Sequence, residues 1–431
     1  ILTPGTVLED RQLDAGHNHF LLAVDFGKRG SSASWLDLST GKFFLARSES
    51  PRDFLSILGA LSPREVLIPE GMNKRVAQLE DGSLIAEELD RLFSGVTLTE
   101  RPDFDFDQRT GAREVMEGLG VMNLEGFGID IEHYALGTAG AILIYAQDVL
   151  KGKPGNLSRI EEYCTEDSLL LDPATQRNLE VFKTSAQTRK GSLMDVMDST
   201  VTSAGARLLE SYLSSPERNL KEIHRRQSCV LEFSRAPGAV EEVASILKTG
   251  SDLERILGRL RNRLVRPREL GGLRATIRGL PAVVKCLLEL GDRYPAILEL
   301  AANVQTFEKL CAVLDRALEE ELPADIKVDV KADGARVIRA GYDEDFDKLR
   351  ELGSGGKRWI IELEASEREK TGINNLKIKY NGAFGYFIEV TKANLSLVPE
   401  HYVRKQTMTN AERYYTDELR TKEKEIINAE E

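Results

Sequence analysis

The chain has 431 residues, 41% hydrophobic and 30% charged, with a formal net charge of −12. That length exceeds one ordinary core and points to about two to four globular domains. The acidic balance taken whole argues against a nucleic-acid partner, although binding depends on local charge.

The apolar stretch at 140–146 is far too short to span a bilayer, and no charged-then-apolar leader opens the chain. Cys164, Cys229, Cys286 and Cys311 are too far apart for a zinc pattern and read as reduced thiols. A cytoplasmic location with no membrane partner is therefore expected.

In chain order, "HFLLAVDFG" is an apolar run of strand length. "SSASWLDLSTG" and "KFFLARSE" follow as strands joined through Ser39-Thr40-Gly41, so hairpins are expected. "SPRDFLSILGAL" reads as a helix, "REVLIPE" as a short buried strand, and "SLIAEELDRLF" as a helix capped by Ser83. Residues 127–150 carry a helical end. This alternation indicates an α/β layer fold.

The Gly/Pro-containing stretch 151–162 marks a domain boundary, after which the pattern turns helical. One helical stretch ends at Pro216, and "NLKEIHRRQSCVLEF" follows it. "SDLERILGRLRNRL" offers a capping box, Ser251 with Glu254, and places Leu253, Ile256, Leu257, Leu260 and Leu264 on one face. Arg255, Arg259, Arg261, Arg263, Arg266 and Arg268 read as the solvated face opposite. A long helix with Leu273, Ile277 and Leu287 at helical spacing comes next, then a helix at 296–318. Two helices at 343–352 and 357–371 are expected to be separated by a "GSGGK" turn. The hairpin "LKIKYNGAFGYFIEVTK" turns at 381–385, and a last strand, "HYVRKQTM", leads to a helix from Thr416. The chain lacks an initial Met and stops with a helical pattern still running, so it is expected to be a piece of something longer.

Three strings suggest chemistry. "GSGGK" fails the P-loop spacing, and Arg358 stands where a magnesium-binding hydroxyl is needed. "HNH" (17–19) precedes a single strand and lacks the spread of a nuclease motif. Asp25 in "AVDFG" ends a first strand, the place of a metal-binding carboxylate in ribonuclease-H-like nucleases; Asp37 is the nearest partner, and no full carboxylate set accompanies it. An inactive scaffold is the reading preferred over a metal-dependent nuclease.

The strongest signal lies late in the chain. Between Thr371 and Tyr415 there are six Lys or Arg against three Glu and no Asp. Lys377 and Lys379 share one strand face. Asn381 is in the turn, and Arg404, Lys405, Thr409, Asn410 and Arg413 follow close together. Basic and short polar side chains suit phosphate oxygens, and binding of a nucleic-acid backbone without sequence preference is the natural form.

The stretch from Leu376 through "VPEHYVRKQTMTNAERYYTDEL" resembles the clamp of the MutS family of DNA mismatch repair proteins. "GSLMDVMDSTVTSAGARLLESYLSSP" resembles the start of that family's core, and "LTPGTVLED" the hinge after its mismatch-recognition domain. The resemblance implies a multidomain protein, α/β followed by mainly α. Residues 1–16 would be a linker, 17–150 a ribonuclease-H-like connector without nuclease activity, and 151–339 a helical core or lever. Residues 340–412 would form an α+β clamp with a small antiparallel sheet, and 413–431 a returning lever helix.

It also implies that Lys377, Lys379, Asn381, Arg404, Lys405, Thr409, Asn410 and Arg413 meet the backbone of double-stranded DNA. Thr409 departs from the family, where relatives often carry a basic residue. A mismatch-reading domain and an ATPase domain using ATP and Mg would lie outside these residues. The full protein would be a homodimer that recruits a MutL-like protein. No cofactor and no catalytic residue are expected in this chain. A MutS-related recombination-junction protein is the alternative within the family.

Overall fold

In a computed structural model, residues 3–8, 13–163, 168–325, 336–381 and 385–430 are described, with side chains omitted at 352–358 and 426–430. They form two compact units: Ile1–Asp315 with Glu320–Val337, and Arg316–Glu319 with Ile338–Glu431.

The first unit is built on β1 (Phe20–Gly27), β2 (Gly30–Asp37), β3 (Lys42–Ser48), β4 (Glu65–Pro69), β5 (Thr97–Arg101) and β6 (Glu161–Glu162). Their order in the sheet is β5-β4-β1-β2-β3-β6. The β1–β2 and β2–β3 pairs are antiparallel, while β4, β5 and β6 join in parallel. Helices α1 (Pro51–Gly59), α2 (Met72–Val76) and α3 (Gly82–Leu92) accompany one face; α4 (Gln108–Leu119) and α5 (Leu136–Leu150) cover the other. β1 is buried on both faces: Leu21 and Ala23 meet α5, and Leu22 and Val24 meet the opposite core. That explains its unbroken apolar run. The helix pair α4–α5 leaves no room for a side chain at Gly111, where a Cβ would strike the Leu136 carbonyl oxygen.

The helical part comprises α6 (Pro173–Asn178), α7 (Leu193–Met197), α8 (Ser203–Ser214), α9 (Leu220–Ser234), α10 (Pro237–Lys248), α11 (Leu253–Arg261), α12 (Pro267–Leu288), α13 (Pro295–Ala302) and α14 (Glu308–Ala317). No described helix is long and apolar enough to cross a membrane. Cys229, Cys286 and Cys311 are unpaired thiols; Cys164 lies outside the described residues.

Several expectations need correction. The boundary at 150 comes too early, because β6 pairs with β3 (Phe44 opposite Glu161) and extends the sheet beyond it. Asp81, not Ser83, stands at the start of α3. The helix expected at 296–318 is two helices, α13 and α14, with Phe307 between them at φ 50°.

The largest reversal concerns α11. Leu257, Leu260 and Leu264 are 46%, 41% and 51% exposed, whereas Arg255 and Arg259 are 1% and 6% exposed. Ile256 is buried against Leu273 and Ile277 of α12, but the Arg255 and Arg259 side of α11 meets oxygen atoms. Arg255 Nη2 donates to the carbonyls of Asp14 (2.9 Å) and His17 (2.8 Å), and Arg259 Nε lies 2.9 Å from Glu269 Oε1. Gly258 passes so close to the β2–β3 turn that a Cβ would strike the Ser39 carbonyl. Asp252 caps the helix by accepting from the Arg255 backbone N–H, so the expected Ser251–Glu254 box does not form.

Glu254 serves another purpose. Arg207 of α8, 1% exposed, donates to Asp252 (2.7 and 2.9 Å), Glu254 (2.7 Å) and the Ala15 carbonyl (3.0 Å). A charge buried this deeply needs all of these partners. The expected result is that Arg207→Met destabilises this unit by about 3–5 kcal/mol, and Leu257→Ser by no more than about 0.5 kcal/mol. Urea unfolding followed by Trp35 fluorescence in a Trp359→Phe background measures both.

His17 supplies a pH dependence. Its Nδ1 lies 3.1 Å from Glu210 Oε1 and its Nε2 3.7 Å from Asp14 Oδ2. The Glu210 hydrogen bond raises its pKa above 6.5; burial opposes this, Glu210 and Asp14 charge adds to it, and Arg189 offsets part. A histidine raised on folding contributes fully below its unfolded value and loses that contribution as pH rises through the folded one. The unit should therefore lose stability as pH rises through and above 6.5, and His17→Gln should flatten that slope in thermal unfolding.

Candidate nucleic-acid interface

The second unit rests on α15 (Glu344–Thr371), capped by the Asp343 side chain and closed by Gly372 at φ 69°. This 28-residue helix runs straight through "GSGGK", so the expected turn does not exist. Each glycine costs a helix about 1 kcal/mol, but extending an established helix needs no new nucleus.

Against α15 lies a four-stranded antiparallel sheet: β7 (Lys377–Asn381), β8 (Gly385–Thr391), β9 (Val403–Thr407) and β10 (Ala411–Tyr415), in the order β7-β8-β10-β9. The chain ends in α16 (Asp417–Glu430). Residues 413–415, expected in the returning helix, are the end of β10; the alternation of Glu412 and Tyr414 inward with Arg413 and Tyr415 outward is a strand period. Residues 382–384 of the β7–β8 turn lie outside the described residues.

Register decides which side chains share a face. Ile378, Ile388, Val390 and Tyr414 join Leu363 of α15 and Leu419 of α16 in one core. Buried acids finish that side. Glu367 accepts from the Tyr402 hydroxyl (2.5 Å) and Glu412 from the Tyr414 hydroxyl (2.6 Å). Burial and then Glu412 push the Tyr414 pKa up to about 12.

On the other face, Lys377 stands opposite Glu389, Lys379 opposite Phe387, and Glu389 opposite Arg413. Lys379 Nζ donates to Glu389 Oε1 at 2.7 Å, and Arg413 Nε lies 3.8 Å from Glu389 Oε2. The Arg413 guanidinium lies 4.2 Å from the Phe387 ring centroid and donates to Gln406 Oε1 at 2.9 Å. Its side chain is only 16% exposed, so it covers Phe387, itself 2% exposed. Lys377 is exposed, and no acidic partner is found for it among the described residues.

The eight expected residues are thus not one patch. Lys377, Lys379, Asn381 and Arg413 share the outer face. Arg404 lies across a register shift, opposite Tyr414, and approaches Glu412 at 3.7 Å. Lys405 sits at that shift without an opposite residue and reaches over the Tyr415 ring at 5.7 Å. Such an irregularity re-aims side chains. Thr409 and Asn410 are exposed in the β9–β10 turn, beside Thr391, at the opposite end of the sheet from Asn381. Sequence reasoning missed Glu389 as a member of this face. The signal for Glu389 is its alternation with Ile388 and Val390 on β8, which puts it on the face of Phe387, once the hairpin register is known.

In the first unit, Asp25 on β1 accepts from Arg75 Nη1 at 2.5 Å, and Arg75 also pairs with Asp103. Burial raises the Asp25 pKa, against the pull of Arg75. A guanidinium therefore stands where a nuclease would need a metal ion. Asp37 lies opposite Phe20, not near Asp25, roughly 17 Å along the strand. It is buried and accepts from the backbone N–H groups of His19 and Ser39. Among the described residues no group of three or more His, Cys, Asp or Glu is placed to hold a metal. The histidines of "HNH" are likewise engaged, His17 by Glu210 and His19 by the Pro4 carbonyl.

Two family models match the chain: MutS domain II over residues 19–161 and MutS family domain IV over residues 341–431. Proteins named DNA mismatch repair protein MutS are similar over its whole length. The one from Myxococcus xanthus is 37% identical over 432 residues, that from Symbiobacterium thermophilum 35% over 435, and that from Methanothrix thermoacetophila 36% over 436. Each alignment covers 100% of this chain and 47–48% of the relative, so the chain spans about half the length of the curated relatives it matches.

The two kinds of cation on the outer face should behave differently in stability. Lys377→Ala is expected to change unfolding by less than about 0.5 kcal/mol. Arg413→Ala, which uncovers Phe387, should cost about 1–2 kcal/mol. Trp359 fluorescence in a Trp35→Phe background reads both.

Proposed function

The chain belongs to the MutS family, and from that premise we propose that its second unit holds the sugar-phosphate backbone of double-stranded DNA through the outer face of the β7–β10 sheet, without reading sequence. The observation that carries this is the division of the sheet. One face is spent on the core with α15 and α16, and the other carries Lys377, Lys379, Asn381 and Arg413. Ammonium groups on flexible stems suit contacts that position without specifying. Lys405, Thr409 and Asn410 extend the contact along β9 and its turn; Arg404 joins it from the sheet's far edge. The relatives' shared name, DNA mismatch repair protein, supports this reading.

In the same reading, the α/β sheet of the first unit is a ribonuclease-H-like connector that works as scaffold, and the helices after it are the core and lever. The whole protein would act as a homodimer in the cytoplasm, hydrolyse ATP with Mg, and recruit a MutL-like protein. The described residues of this chain do not fit an ATP–Mg site: "GSGGK" is helical, and no carboxylate group is placed for a metal. No step of the present reading passes through one. The lever helices would pass the ATPase state to the clamp.

Binding of a mixed-sequence duplex across a salt series tests the DNA contact. Lys377→Ala with Lys405→Ala should flatten the slope of log K against log salt by about two units, one phosphate for each lysine. An unchanged slope would overturn the assignment.

A further inference from the structure

Glu389 occupies the middle of the face assigned to DNA. We propose that it is a built-in competitor for phosphate, which sets the clamp's grip below what its cations would otherwise give. This rests on the DNA-backbone reading above and concerns the same phosphodiester ligand.

The geometry surrounds one carboxylate with cations. Lys377 is directly opposite on β7, Arg413 directly opposite on β10, and Lys379 one step along the diagonal. Lys379 and Arg413 both turn toward it, at 2.7 and 3.8 Å, while Lys377 does not come within ion-pair distance. Its side chain is 24% exposed, so it is within reach of an anion arriving on this face. A carboxylate and a phosphate offer the same kind of charged acceptor to an ammonium or guanidinium group. A phosphate approaching Lys379 must therefore displace Glu389 or settle beside it against like charge.

The two cations differ in what they can do next. Arg413 is held by Phe387 and Gln406, so it stays and keeps Glu389 company. The Lys379 ammonium is a point charge on a flexible stem, 48% exposed, and can swing to a phosphate. The face then offers one free lysine, one exchangeable lysine and one retained carboxylate. Such a surface binds DNA shallowly and favours no single phosphate strongly.

A positioning role for Glu389 predicts the opposite outcome, because its loss would release Lys379 and Arg413 from their geometry and weaken binding. Glu389→Gln keeps the shape and an acceptor oxygen while removing the charge. Measured with the 431-residue chain and a mixed-sequence duplex, the variant should bind roughly two- to fivefold tighter, as expected when an exposed ion pair is released. Its salt slope should steepen by about one unit, for the one phosphate contact Lys379 gains. Equal or weaker binding with an unchanged slope, while the wild type still binds, overturns the competitor and leaves the DNA reading standing. If neither protein binds duplex at low salt, both fall. Where Glu389→Gln does not fold, Lys377→Gln and Lys379→Gln report the same competition. The first should cost a full unit of salt slope and the second clearly less, and equal costs overturn the proposal.

Discussion

A guanidinium carries five donors and no acceptor, so it can be buried only where oxygen atoms already converge. In the first unit that constraint fixes how the helices meet the segment feeding the sheet. Arg207 gathers Asp252, Glu254 and the Ala15 carbonyl, and Arg255 gathers the carbonyls of Asp14 and His17. These oxygens belong to the stretch entering β1 and to the first turn of α11. Neither group would hold its place without the other, because an unpaired charge or carbonyl at this depth costs several kcal/mol. Leu257 and Leu260 face outward on α11 because its buried side is taken by Arg255, Arg259 and Ile256.

The same constraint sorts the cations of the second unit. Arg413 lies flat on Phe387 and is tied to Gln406, so it serves mainly as the lid over an aromatic ring. In the first unit, Arg75 pairs with Asp25 and Asp103, so the carboxylate on β1 is half of an ion pair rather than a metal ligand. These less exposed arginines are building parts. The mobile positive charge is left to lysines, Lys377 and Lys379 on the outer face and Lys405 at the register shift. A surface of exposed lysines, one of them held by a neighbouring carboxylate, suits a grip that is weak at each contact and summed over several.

Much of this could be read along the chain. The strands of "HFLLAVDFG", "SSASWLDLSTG" and "KFFLARSE" stand as expected, as do the Lys377/Lys379 hairpin and the long helix around Leu273 and Ile277. The failures share one cause. The Ser251–Glu254 box is plausible locally, but Glu254 is needed by Arg207. The "GSGGK" turn was plausible from glycine content, but the flanking turns of α15 carry the helix through. Thr409 and Asn410 are close to Lys405 in sequence and yet lie at the opposite end of the sheet from Asn381, because β9 and β10 fold back on each other.

Read along the chain alone, the residues show which segments alternate with period two, which carry an apolar helical stripe, and that a basic window interrupts an acidic chain. Those are properties of neighbours a few residues apart, and the physics that reads them is local. Only the tertiary structure decided which arginines are buried, where Glu389 stands among the lysines, and which of the eight polar residues share a face. Those outcomes depend on strand register and on acceptors supplied from far along the chain, such as Ala15 for Arg207 and His17 for Arg255. Their energies come from satisfying charge away from water, and no pattern within one segment contains that partner.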